Sequence, residues 1–114
     1  MNNDIIKKID ALITNIKESS EYKNYVSLTN KISNNEDINS LVNEIKQIEK
    51  DLVRRPSILK EEELKQKEKE LNSIPIYLDY KESCDNLNNM LLIIKNRMDK
   101  FVKELIIEEL YTCQ

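Results

Sequence analysis

The chain has 114 residues, of which 39% are hydrophobic, 34% charged and 5% aromatic, with no glycine, histidine or tryptophan, and a formal net charge of -3. Without glycine there is no Walker loop or dinucleotide fingerprint, since both bring bare backbone up to phosphate. Without histidine there is no Ser-His or Cys-His catalytic pair and no mixed Cys/His zinc site. Residues 1–57 carry nine charges of each sign and residues 58–114 carry nine basic against twelve acidic. No region has the basic excess that holds a phosphate backbone, and Arg54-Arg55 is too small a pair to make one. Direct nucleic-acid binding is therefore not expected.

The first predicted element is an amphipathic helix from Asp4 to Glu18, with Ile5, Ile9, Leu12 and Ile16 at 4-3-4 spacing and Ile6 and Ile13 widening the stripe. Ser19-Ser20 offers a cap, and Glu21 suits the first turn of a second helix reaching Ser33. Whether the chain breaks or only bends at Ser19 is open at this stage. Asn34-Asn35 punctuates again, and Ile38, Leu41, Ile45, Ile48 and Leu52 predict a third helix. That helix should stop near Arg54-Arg55, because Pro56 disfavours helical geometry in the residue before it. Residues 57–72 are dense in charge, with Leu64 and Leu71 as spaced apolar positions, and read as a short solvated helix or a connector.

The last segment carries the strongest pattern. Ser73 can cap, and Pro75 is tolerated in a first turn. Tyr77, Tyr80, Cys84, Leu87, Leu91, Ile94, Met98, Phe101 and Leu105 then fall at alternating three- and four-residue steps. A helix from Ile76 to Leu110 would be about 52 Å long, whereas a compact chain of this length is only about 35 Å across. Leu78 and Leu92 lie across from the seam, and Met90 and Ile93 flank it, so the middle of the helix asks for cover on more than one face. Self-association is the simplest cover, with twofold symmetry.

The order of these signals carries a family likeness. Asp4-Ile5-Ile6 opens a helix, and Ser20-Glu21-Tyr22 and Tyr25 follow. Next come Ile32, Asn35, Ile38, Leu41-Val42-Asn43 and Ile45-Lys46, then Ile74-Pro75, Tyr80, Ser83, Leu87-Asn88 and Leu91. Over about residues 4–110 the chain resembles the YlbF/YmcA family of bacterial helical regulators, the YmcA branch best. The resemblance implies an all-helical fold, dimeric or higher assembly and a cytoplasmic adaptor role. It implies YlbF-like and YaaT-like partners and action on ribonuclease Y in mRNA processing. It also implies an iron–sulfur cluster held by cysteines, for which only Cys113 matches; the tail is shorter here, so a cluster is expected only in a multi-chain complex.

Each sharper reading has a plainer rival. Cys113 is either a cluster ligand or an incidental terminal thiol. Cys84 on the seam reads as a small buried hydrophobe. Tyr22 and Tyr25 either anchor a partner or pack within the monomer, and Tyr77 and Tyr80 favour the core. Glu61-Glu62-Glu63 and Glu108-Glu109 read as solvated faces. Ser19, Ser20 and Ser83 find no base, so no catalytic residues are expected.

The expectation is one all-α domain over residues 1–114. It is a four- to five-helix antiparallel bundle or hairpin with a long C-terminal helix, and it is oligomeric. Its interface would comprise Tyr80, Leu87, Leu91, Leu92, Ile94, Met98 and Phe101. No required cofactor is expected. The longest apolar run, Met90–Ile94, is too short for a membrane span, and the N-terminus lacks a signal-peptide layout, so a cytoplasmic place is expected. Two other functions stay open. One is a purely structural coiled-coil scaffold, and the other is RNA binding through a composite surface made with a basic partner.

Overall fold

The computed structural model describes the backbone of residues 3–112 and the side chains of residues 3–105. Five helices follow one another: α1 (Asn3–Glu18), α2 (Ser20–Ser33), α3 (Glu36–Arg54), α4 (Ile58–Asn72) and α5 (Pro75–Thr112). There is no strand among the described residues.

The breaks are built from side-chain caps. Ser19 settles the first question by serving two helices. Its hydroxyl donates to the Ile16 carbonyl at 2.6 Å, closing α1, and accepts from the Tyr22 amide at 3.2 Å, opening α2. Asn35 Oδ1 accepts from the Ile38 amide at 3.0 Å to start α3. Ser57 Oγ accepts from the Lys60 amide at 3.3 Å to start α4. Ser73 behaves differently from the expectation. Its hydroxyl donates back to the Glu70 carbonyl at 2.6 Å and its amide bonds Glu70 and Leu71, so it closes α4 instead of opening α5. The Ile74 carbonyl accepts the Leu78 amide at 3.2 Å, and α5 begins at Pro75.

Residues 58–72 are a full helix, and α3 is what makes them one. Leu64 and Leu71 lie seven residues apart on one face and pack into the cluster of Ile38, Ile45 and Leu71, with Leu41, Val42 and Ile74 around it. Ile38 is fully buried. Lys67 to Glu44 at 2.9 Å and Lys60 to Asp51 at 2.6 Å tie the two helices along their length. Such exposed pairs add little individually; the burial at Ile38, Ile45 and Leu71 decides that α3 and α4 form a hairpin.

The other packed pair is α2 on α5. Leu28 and Leu87 are buried, and Ser83, fully buried itself, presents a small side chain between Tyr80 and Leu87. Ile76 and Tyr77, at the base of α5, join the hairpin's core. Helix α1 meets α2 around the Ser19 bend, and none of its described residues is buried.

The resulting molecule is open. Its extents are 60 × 38 × 19 Å and its Cα radius of gyration is 21.1 Å, against about 13 Å for a compact chain of this length. Its 38-residue α5 alone is about 57 Å long. The accessible area is 9434 Å², whereas a compact protein of 13.5 kDa would expose about 6,500 Å². The shortest dimension, 19 Å, admits only about two helix diameters. A layer that thin leaves most helices covered on one side only.

Candidate functional site: two apolar arms

The apolar seam of α5 divides into two halves with different surroundings. In its first half Leu87 is only 9% exposed, on the stretch that α2 covers. Beyond it Leu91 is 40% and Phe101 61% exposed, with Met98 and Leu105 also open to solvent. Leu92, Ile93 and Val102 add exposed apolar area around the same half, and Ile94 is half-buried. Helix α1 has a matching stripe: Ile16 next to the bend is half-buried, while Leu12, Ile9 and Ile5 are exposed. Ile6 and Ile13 are exposed beside them. Both arms therefore lose their cover as they run away from α2.

An apolar stripe on an isolated amphipathic helix is a cost in water. Each fully buried Leu, Ile or Phe side chain is worth about 1.5–3 kcal/mol relative to exposure. Two such stripes lie on one small molecule, and contiguous exposed apolar surface is the kind that marks interaction sites.

The residues predicted as an interface fall on both sides of this division. Leu91, Leu92, Ile94, Met98 and Phe101 belong to the open arm. Tyr80 and Leu87 are used inside the chain. The Tyr80 ring stacks on Tyr25 with centroids 6.3 Å apart and planes at 24°, and Tyr77 lies 6.1 Å from Tyr80. Tyr25 thus packs within the monomer, and Tyr22 is half-buried beside it on α2. Sequence spacing missed this because stripe positions look alike until the path of α2 is known. Helix α1 was legible as an amphipathic stripe, but nothing in its spacing marks it as uncovered.

The tyrosine cluster has a definite electrostatic signature. The Tyr80 hydroxyl is pushed up to about 12, first by its hydrogen bond with Cys84, then by burial, with Cys84, Tyr25 and Tyr77 adding to the effect. The Lys81 ammonium lies 5.9 Å from the Tyr77 ring centroid. Cys84 itself is half-buried and a free thiol, as its place on the seam suggests. Ser83 donates its hydroxyl to the Tyr80 carbonyl at 2.7 Å, so it is a structural residue without a base to activate it.

Among the described residues no group of three or more Cys, Asp or Glu side chains is placed to hold a metal ion. Cys113 lies outside the described residues. A cluster needs several thiolates, and Cys84, the one described cysteine, stands with tyrosines and not with other thiols. The described part of one chain does not fit an iron–sulfur cluster. Among the described residues no helix is long and apolar enough to cross a membrane.

Residues 5–103 match the model of the family described as control of competence regulator ComK, YlbF/YmcA. The chain belongs to the YlbF/YmcA family. The match starts in α1 and ends within the exposed half of α5, so it takes in nearly all of α1 and the α5 arm as far as residue 103. No curated protein matches the chain. The YlbF/YmcA family is one of regulators, in the control of competence.

Proposed function

We propose that this protein is a non-catalytic regulatory adaptor that works as a helical oligomer, the α1 and α5 arms of one copy being covered by those of another. The observation that carries this reading is the accessible area of 9434 Å², about 2,900 Å² above that of a compact protein of the same mass. Two copies that each buried this surplus would bury about 5,800 Å² together, at the upper end of what obligate interfaces bury, about 2,000–5,000 Å² and more for both partners. A twofold arrangement lets one surface complete itself without leaving an open end. The 4-3-4 steps of Ile5, Ile9, Leu12 and Ile16 and the 3-4-3-4 steps from Leu91 to Leu105 suit helix-on-helix packing between copies.

The regulator description of the family supports the adaptor role. By the same resemblance, the clients are YlbF-like and YaaT-like proteins and ribonuclease Y, with mRNA processing as the process controlled, in the cytoplasm. The absence of histidine and of a nucleophile–base pair accords with a role exercised through binding.

The test of assembly is the double substitution Met98→Asp with Phe101→Asp. Both side chains are exposed in the single chain, so helix content should persist while the native mass falls to that of one chain, because unpaired carboxylates in a dry seam are costly. An unchanged oligomer mass would show that this half of α5 is no interface. The client assignment is tested by co-purification with ribonuclease Y and the two sister proteins from the same host. A stable oligomer that retains none of them would leave a structural scaffold.

A further inference from the structure

The far end of the α3–α4 hairpin carries a second exposed surface, about 24 Å along α3 from the core at Ile38. Val53, Ile58 and Leu59 are 88%, 77% and 79% exposed, above every other large hydrophobic side chain among the described residues. All three fall within seven residues, on either side of Pro56. One exposed leucine requires no explanation; three crowded at a turn mark a contact surface.

At the tip itself basic side chains prevail, with Glu49 and Glu61, Glu62 and Glu63 flanking it. Residues 50–60 hold Lys50, Arg54, Arg55 and Lys60 against the single carboxylate of Asp51. Lys60 already engages that carboxylate at 2.6 Å and holds it below its usual range. Arg55 makes no ion pair among the described residues. Arg54, Arg55 and Pro56 line a shallow cavity of about 620 Å³ with Asp51, Ser57 and Lys60. The turn is also fixed in shape. The Arg55 amide bonds the Asp51 carbonyl at 2.9 Å, proline stops α3, and the Ser57 cap starts α4. A surface held in one conformation loses little entropy on binding.

We propose that this tip docks a partner protein through an apolar socket rimmed by carboxylates. Val53, Ile58 and Leu59 would fill the socket, while the guanidinium forks of Arg54 and Arg55 would take carboxylate oxygens in pairs. An RNA backbone would leave the three aliphatic side chains without a role. For an anionic membrane, three aliphatic side chains with two arginines are a weak anchor. A second copy bound here through its own arm would make a head-to-tail contact that need not close. The proposal does not depend on whether the arms self-associate.

The experiment places a photo-reactive phenylalanine analogue at position 59 of the full chain in its host, identifies the cross-linked protein, and titrates that protein, purified, with the full chain. The expected result is a cross-linked peptide flanked by Asp or Glu. Affinity should fall by about tenfold or more in Arg55→Glu and again in Leu59→Asp, and it should weaken as salt rises. Both side chains are exposed, so helix content by circular dichroism should stay the same in both variants. Four results would overturn the proposal: cross-links only to lipid or to another copy; no cross-linked protein; equal affinity for wild type and variants; or binding to phosphatidylglycerol/phosphatidylcholine vesicles that both substitutions abolish.

Discussion

The α3–α4 hairpin and the α1/α5 arms use the same kind of helix to opposite ends. Helices α3, α1 and α5 have aliphatic residues at three- and four-residue spacing, and α4 has Leu64 and Leu71 seven apart. In the hairpin the chain turns back within three residues at Pro56, so Leu64 and Leu71 come down on Ile38 and Ile45 and the stripe is covered at once. In the arms the chain bends at Ser19, and Ile5, Ile9 and Leu12 of α1 stay exposed. In the far half of α5 Leu91, Met98, Phe101 and Leu105 are exposed. Amphipathic spacing says that a face must be covered. Chain path decides whether the same molecule can cover it.

The largest expected effect lies in the closed region. Ile38→Ala removes the core's one fully buried large aliphatic side chain and should cost about 2–5 kcal/mol in urea unfolding. Ile9→Ala, the same kind of change on an exposed stripe, should leave the dilute single chain nearly as stable and weaken only its assembly. Equal losses in dilute solution would erase the contrast between the regions. Next comes the bend. Ser19→Ala deletes a hydroxyl that caps both α1 and α2 and should cost about 1 kcal/mol. Asn35→Ala, which caps α3 alone, should cost no more than Ser19→Ala.

Smaller effects concern titration. Tyr80 ionises near pH 12 while an unfolded tyrosine does so near 10. Its contribution is therefore complete below pH 10 and is lost as pH rises toward 12. Absorbance at 295 nm should show a late tyrosinate step that Tyr80→Phe removes. The hairpin's exposed pair has the opposite sign. The Lys60 ammonium lowers Asp51, so that small contribution is present above the ordinary carboxylate range and lost as pH falls through the lowered value. Urea midpoints of wild type and Asp51→Asn should converge in acid; a constant gap would remove the pair from the account.

Much of the fold was legible because helix ends are local events. Ser19, Asn35, Arg54-Arg55 before Pro56, and Pro75 each mark a boundary through their own chemistry, and the five helices follow them. The segment 57–72 was ambiguous because its stabilising partner is in α3: Leu64 and Leu71 are too sparse to define a face until Ile38 and Ile45 lie opposite. Ser73 was read in the wrong direction, since a hydroxyl between two helices can serve either one. Of the residues expected at an interface, Leu91, Met98 and Phe101 are exposed on the single chain, whereas Tyr80 and Leu87 occupy the same stripe and pack against α2. Ile58 and Leu59 fall off the Leu64/Leu71 face, and that mismatch beside a proline was the available sign of the exposed tip.

The central claim is that the arms are covered by a second copy of the chain. Light scattering on the purified full-length protein at micromolar concentration tests it most directly. The account predicts a mass of at least two 13.5 kDa chains. A single-chain mass that holds steady as concentration rises, with helix content intact, would contradict it.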